Sequence, residues 1–185
     1  MSTETQVNPT RVVTGKVRLS YVTLFEPKSI RPGQKAKYSL SVIIPKSDKV
    51  TINKVKAAIE AAKEFGKDKL AVKGKIPANL KTPLRDGDIE RPDDEAYANS
   101  YFMNVNSEKK PQVVDINGNA ILDPLEVYSG CYGRVSINMY AFNMESKGIA
   151  AGLGNVQKLA EGEALGGNVS AAVDFSDEFD NDDDV

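Results

Sequence analysis

The chain has no histidine, no tryptophan and a single cysteine, Cys131. Without histidine, the commonest general acid/base and the commonest zinc ligand are both missing. Without tryptophan, stacking on a planar ligand falls to tyrosine, phenylalanine or arginine. One cysteine makes no internal disulfide and suits a reducing cytosol. Long apolar runs are lacking too, and none approaches the ~20 residues a membrane-spanning helix needs. The opening MSTETQVNPTRVV has neither the charged start nor the apolar centre of a secretory signal. The expectation is a soluble cytoplasmic protein with no membrane partner, no metal site, no cofactor and no catalytic residues.

Charge is present and unevenly placed. Seven of the 26 acidic residues lie in Val173–Val185: Asp174, Asp177, Glu178, Asp180, Asp182, Asp183 and Asp184. That stretch has no lysine or arginine, so residues 1–172 carry 24 basic against 19 acidic side chains, a net of +5. A block of like charge repels itself and stays disordered. Phe175 and Phe179 stand among the acids, and a purely solubilising terminus has little use for rings. An acidic segment with aromatics can imitate a nucleic-acid strand, or be a peptide that partner proteins grip. The chain therefore divides into a body (1–160), a flexible linker bearing Gly162, Gly166 and Gly167 (161–172) and a disordered acidic tail (173–185).

The body reads as mainly β. Val12–Phe25 alternates, with Val13, Val17, Leu19 and Tyr21 on one face and Thr14, Lys16, Arg18 and Ser20 on the other. Ala36–Ile44 alternates in the same way, and its polar face includes Lys37. One apolar and one basic face per strand suit an antiparallel sheet with its core on one side. A helix follows, capped by Ser47 or Asp48 and stopped by Gly66, with Ile52, Val55, Ile59 and Ala62 as its apolar stripe. Residues 67–95 are irregular and contain an acidic cluster from Asp86 to Glu95. Such carboxylates would suit a two-metal nuclease, but loop acids near turns are common. Tyr97–Val105 reads as a strand, and Gln112–Ile116 with Ala120–Leu122 as a hairpin over Asn117-Gly118.

Tyr132–Phe142 is the most informative strand. Val135, Ile137, Met139 and Ala141 make its core face. The other face carries Tyr132, Arg134, Ser136, Asn138, Tyr140 and Phe142, where a solvated face would carry Thr, Lys and Glu. Rings beside a cation off the core are what base stacking and phosphate contact require. The candidate DNA-binding residues are Lys16, Arg18, Lys37 and Arg134 for phosphates, with Tyr132, Tyr140 and Phe142 for bases. The competing reading buries these rings under a second layer or a second copy of the chain, which would make the protein an interaction module or a homodimer. Ile149–Leu159 is the last strand, interrupted by Gly152 and Gly154.

Three stretches, TPLRDGD (82–88), YSGCYGRVSINMYAFN (128–143) and KGIAAGLGNVQKL (147–159), followed by the glycine-bearing linker and acidic end, resemble a phage-encoded single-stranded-DNA-binding protein family. The resemblance covers most of residues 10–160. It implies an OB-fold-like five-stranded antiparallel barrel with one α-helix and loop insertions. It also implies binding of single-stranded DNA in phage replication or recombination, in the host cytoplasm, with replication or recombination proteins docking on the tail. An OB-fold usually carries its helix between the third and fourth strands. Here the helix follows the second strand read from the sequence. Either the first strand bends near Gly15 and serves twice, or the helix belongs to an insertion.

Overall fold

The structure is a computed structural model and describes residues 8–165 apart from Ile30 and Glu145. The acidic tail and the end of the linker lie outside the described residues. In chain order the strands are β1 (Arg11–Val13), β2 (Val17–Lys28), β3 (Lys37–Pro45), β4 (Arg85–Asp86), β5 (Ser100–Ser107), β6 (Val113–Val114), β7 (Tyr132–Met144) and β8 (Ser146–Ala160). The helices are α1 (Lys49–Phe65), α2 (Lys67–Leu70) and α3 (Gly87–Glu90).

Five strands close a barrel. β7 pairs β2, β2 pairs β3, β3 pairs β5, β5 pairs β8, and β8 returns to β7. Every seam is antiparallel except β5–β8, a parallel contact bridged at one residue pair, Asn106 with Gly152. The inward residues of each strand, including Leu19, Leu40, Val42, Met103, Val105, Val135 and Ile137, are buried in one core. This is the mainly β, OB-like barrel the alternation and the resemblance led us to expect.

The first strand does break at Gly15. Thr14 carries the β1 ladder onto β7, exchanging bonds with Val135: Thr14 N–H donates to the Val135 carbonyl (3.0 Å), and Val135 N–H donates to Thr14 Oγ1 (3.1 Å). Gly15 N–H then donates to Thr51 Oγ1 in the first turn of α1 (3.0 Å). A β-carbon at position 15 would come 3.1 Å from that oxygen, so glycine lets the helix approach the break. Two face assignments differ from the alternation. Val12 is buried while Val13 is only half-buried, and Tyr21 is 53% exposed rather than on the core face. Tyr21 sits at a register shift between Ser20 and Thr23 with φ +48°, a bulge that turns its ring outward.

α1 forms where its signals lie. Asp48 caps it by accepting from Thr51 N–H (3.1 Å), and Gly66 ends it. Thr51, Ile52, Val55, Ala58, Ile59 and Ala62 recur at three- and four-residue spacing and are buried against the barrel core. Burying each Val or Ile contributes about 1.5–3 kcal/mol. A β-carbon on Gly66 would fall 2.1 Å from Ala141 Cβ, so the Gly66 backbone at the helix end packs directly on the Ala141 methyl of β7. α1 follows the second barrel strand, so it is an addition to the barrel and not the helix an OB-fold usually carries.

The acidic cluster of residues 86–95 is organised by a lysine. Lys46 Nζ lies 2.9 Å from Asp86 and 2.8 Å from Asp88. Asp86 also accepts from Asp88 N–H (2.9 Å), and Asp88 from Asn99 N–H (2.9 Å). Lys46 is held well above its ordinary range, first by its bond to Asp88 and then by Asp86. Asp88 is held below its ordinary 3.8, chiefly by Lys46. The carboxylate contribution is present above about pH 3.8 and is lost as pH falls through the depressed value, while the lysine contribution is lost only at strongly alkaline pH. Lys46→Met is therefore expected to lower the melting temperature at neutral pH, by a margin that shrinks as pH falls below 3.8 and through the depressed Asp88 value. A margin that does not shrink across the acid range would show that the ion pairs do not cause it.

Candidate nucleic-acid interface

The outward row of β7 runs Tyr132, Arg134, Ser136, Asn138, Tyr140, Phe142, with the core residues alternating between them. Ten residues of strand separate Tyr132 from Phe142, about 33 Å at ~3.3 Å per residue. The row cannot line one pocket. It has two aromatic ends and a middle committed to local bonds, where Ser136 Oγ accepts from Asn155 N–H (2.7 Å) and Asn138 Oδ1 from the Thr10 hydroxyl (2.9 Å).

At the first end, Arg18 is the register partner of Tyr132 across β2–β7. Lys16 Nζ lies 5.0 Å and Arg18 Cζ 5.7 Å from the Tyr132 ring centroid. Lys16 is exposed and makes no hydrogen bond among the described residues. Arg18 is half-buried and partly committed: its Nε donates to the Gly130 carbonyl (3.2 Å) and its Nη2 to the Glu163 carbonyl (2.7 Å). Arg134 gives its Nε to the Thr14 carbonyl (3.3 Å) and keeps the rest of an exposed guanidinium. The β2–β7 pairing thus brings Arg18, Tyr132 and Arg134 together on neighbouring strands, with Lys16 in the bend just before β2.

Lys37 is not part of this cluster. It starts β3 opposite Lys28, six residues before Ile43, the partner of Arg18. That is about 20 Å along the strand. Tyr140 and Phe142 lie at the far end of β7. Tyr140 is 42% exposed and Phe142 half-buried. They cross the small outward residues of β8: Phe142 is paired with Gly148, Tyr140 with Ala150 and Asn138 with Gly152. A β-carbon on Gly148 would come 3.0 Å from Phe142 Cζ and 2.5 Å from the Lys81 carbonyl. Glycine there lets ring and neighbouring chain close together.

Further groups on the outer surface escaped the sequence reading. Arg91 Cζ lies 4.9, 5.1 and 5.5 Å from the ring centroids of Tyr97, Phe102 and Tyr21. The Tyr97–Phe102 pair is edge-to-face at 5.1 Å and packs with Ile43 in a second apolar cluster on the barrel's outside. Residues 161–165 run across this side as a strap. Leu165 N–H donates to the Ser129 carbonyl (2.9 Å), Gly162 N–H to Tyr128 Oη (3.0 Å), and the Leu165 side chain packs on the outer cluster. Glu161 bonds both Lys158 and Tyr128, which lowers the carboxyl and raises the phenol. Gly130, at φ +117°, makes room for the strap, since a β-carbon would fall 2.0 Å from the Glu163 carbonyl. Cys131 is buried beneath, and burial pushes its thiol up.

The barrel has known counterparts. The sequence profile of the single-stranded-DNA-binding protein of Enterobacter phage Enc34 matches residues 10–185. The chain belongs to the Enc34-type phage single-stranded-DNA-binding family. Another relative, the putative protein p50 of Acyrthosiphon pisum secondary endosymbiont phage 1, is 31% identical over 173 residues, covering 90% of this chain and 93% of that one. The Enc34 protein solved in complex with single-stranded DNA superposes with a TM-score of 0.75 at 24% identity, over 86% of this chain and 91% of that one. Gp2.5, a single-stranded DNA binding protein encoded by bacteriophage T7, gives a TM-score of 0.63 at 12% identity, over 86% and 97%. These structural likenesses carry the fold. For this Enc34-type chain they leave each residue's role to the geometry above. Among the described residues no helix is long and apolar enough to cross a membrane.

Proposed function

We propose that this protein binds unpaired DNA without chemistry, with little regard to sequence, during phage DNA replication or recombination in the host cytoplasm. The observation that carries the reading is the Tyr132 ring on the outer barrel wall with two cations, Lys16 and Arg18, over it. Membership of a family of single-stranded-DNA binders supports it. Lys16, Arg134 and the uncommitted part of Arg18 neutralise phosphates, with Lys37 as a more distant contact. Tyr132, Tyr140 and Phe142 offer faces to bases, which tolerates sequence because every base has a π-face. Two stacking ends about 33 Å apart along β7 fit a footprint of several nucleotides, within the ~4–16 an OB-fold covers.

The tail, Asp174 to Asp184 with Phe175 and Phe179, competes for the same wall and otherwise docks replication or recombination proteins. Its seven charges oppose a body of only +5. The strap supports this reading, because it delivers the chain to the side of the barrel that carries Arg18.

The test is binding of full-length protein and of a form lacking residues 173–185 to single- and double-stranded oligonucleotides across a salt series. With about four phosphates neutralised, log Kd against log salt should have a slope of magnitude near 3. The shortened form should bind more tightly, most clearly at 0.01 M salt, where the Debye length is ~30 Å, and less so at ~8 Å under physiological conditions. A slope near zero would remove the electrostatic argument. No binding by either form would turn the aromatic face into a subunit or partner interface. The oligonucleotide should stay intact when magnesium is added.

A further inference from the structure

Phe142, at the far end of the aromatic row, borders a second site that the row itself does not reveal. Residues 81–85 bridge the seam where β5 and β8 meet at a single pair. Lys81 bridges Gly148 of β8 in parallel, its carbonyl accepting from Ile149 N–H (2.8 Å), and Arg85 pairs with Phe102 of β5. Between bridge and barrel lies an open pocket of about 170 Å³, lined by Lys81, Arg85, Asn104, Asn106 and Phe142. That is smaller than the ~300–1,000 Å³ of pockets for drug-sized ligands and suits one planar group.

The lining is chemically specific. Asn104 and Asn106 are the outward residues of β5, alternating with the buried Met103 and Val105. Among the described residues neither carboxamide makes a hydrogen bond, so each offers a donor and an acceptor side by side. Unpaired bases present matching donor–acceptor edges, which asparagine reads with two bonds. Phe142 supplies a ring at the rim. Lys81 is exposed and unengaged among the described residues, while Arg85 holds Glu90 at 3.0 Å with one nitrogen and remains exposed. A ring, two amides and two cations around one small pocket are the parts needed to hold a nucleotide by face, edge and phosphate.

We propose that this pocket takes one base of a bound single strand and reads its edge through Asn104 and Asn106. The proposal rests on the binding reading above and deepens it. One position of the footprint discriminates among bases while the Tyr132 end does not. The protein then prefers some base compositions without recognising a sequence.

Full-length protein is titrated with dT, dC and dA oligonucleotides of equal length, alongside Asn104→Ala/Asn106→Ala, Asn104→Asp and Phe142→Leu, with folding checked by thermal melting. The wild type should show at least a roughly tenfold spread in Kd across the three, the order of one two-bond contact. The alanine pair should narrow the spread to about threefold or less. Asn104→Asp keeps the shape and replaces a donor by an acceptor, so it should reorder the three. Equal wild-type affinities overturn the proposal alone, and no wild-type binding overturns the parent reading with it. A spread that survives the alanine pair and collapses in Phe142→Leu would mean stacking, not edge reading, sets the preference, and would also overturn it.

Discussion

Tyr132→Ala is expected to weaken binding of an unpaired DNA strand roughly fivefold to a hundredfold, the ~1–3 kcal/mol of one lost stacking face. Phe65→Leu should change it less than about twofold; Phe65 is 73% exposed at the end of α1 and lines a pocket beside Tyr140, at the other end of the β7 row from the Lys16–Arg18–Tyr132 cluster. The pair separates a site effect from a general one. Tyr132 is half-buried on the outer wall, so its loss exposes little core, and a melting curve checks that the barrel is intact. Lys16→Ala is the matching electrostatic probe, because Lys16 is exposed and free of hydrogen bonds among the described residues. It should reduce the salt slope by about 0.7, one phosphate's worth on a single strand. Arg18 is a poorer probe, since its guanidinium also holds the strap and its replacement mixes binding with stability. Equal effects of Tyr132→Ala and Phe65→Leu on a folded protein would mean that the Tyr132 end is not where bases stack.

What the sequence disclosed and what it hid follow from locality. α1 was readable because its cap, stripe and stop lie within twenty residues of chain. The outward face of β7 was readable because strict alternation runs from Tyr132 to Phe142 in β7 itself, and the two register shifts against β8, at Tyr132/Gly133 and Val135/Ile137, take up their extra residues on the β8 side. Tyr21 misled because one residue with φ +48° moves a side chain to the other face, and nothing in the local pattern marks it. The distance of Lys37 from the Arg18 cluster was hidden for a different reason, because its height on the barrel depends on β2–β3 register. The 81–85 bridge and its pocket need a parallel seam between strands some forty residues apart, which no short-range pattern encodes. Asn104 and Asn106 did leave a signal: two asparagines alternating with Met103 and Val105 make an odd solvated face. Residues 161–165 read as linker because of Gly162, yet that glycine is where the strap must pass Tyr132, an added β-carbon falling 2.9 Å from its Cε2.

The strap carries the other large effect, this time on stability. Ending the chain after Ala160 is expected to lower the melting temperature by roughly 5–15 °C, whereas ending it after Leu165 should leave the melting temperature nearly unchanged. The first truncation removes the acceptor for Arg18 Nη2, the Leu165–Ser129 backbone bond and the Gly162–Tyr128 bond. At ~0.5–1.5 kcal/mol each these sum to about 2–4 kcal/mol, and a domain of this size shifts ~2–4 °C per kcal/mol. It also strips Leu165 from the outer cluster of Ile43, Tyr97 and Phe102, adding to the loss. The second truncation keeps every one of these contacts and removes all seven tail charges. The two forms therefore separate the strap's structural part from the tail's electrostatic part. If the charged tail alone restrains the DNA wall, both should bind a single strand more tightly than the full chain and equally to one another. If the strap itself withholds Arg18, the form ending at Ala160 should bind more tightly again at a temperature where both are folded. A melting temperature indifferent to the loss of residues 161–165 would mean that the strap merely rests on the barrel.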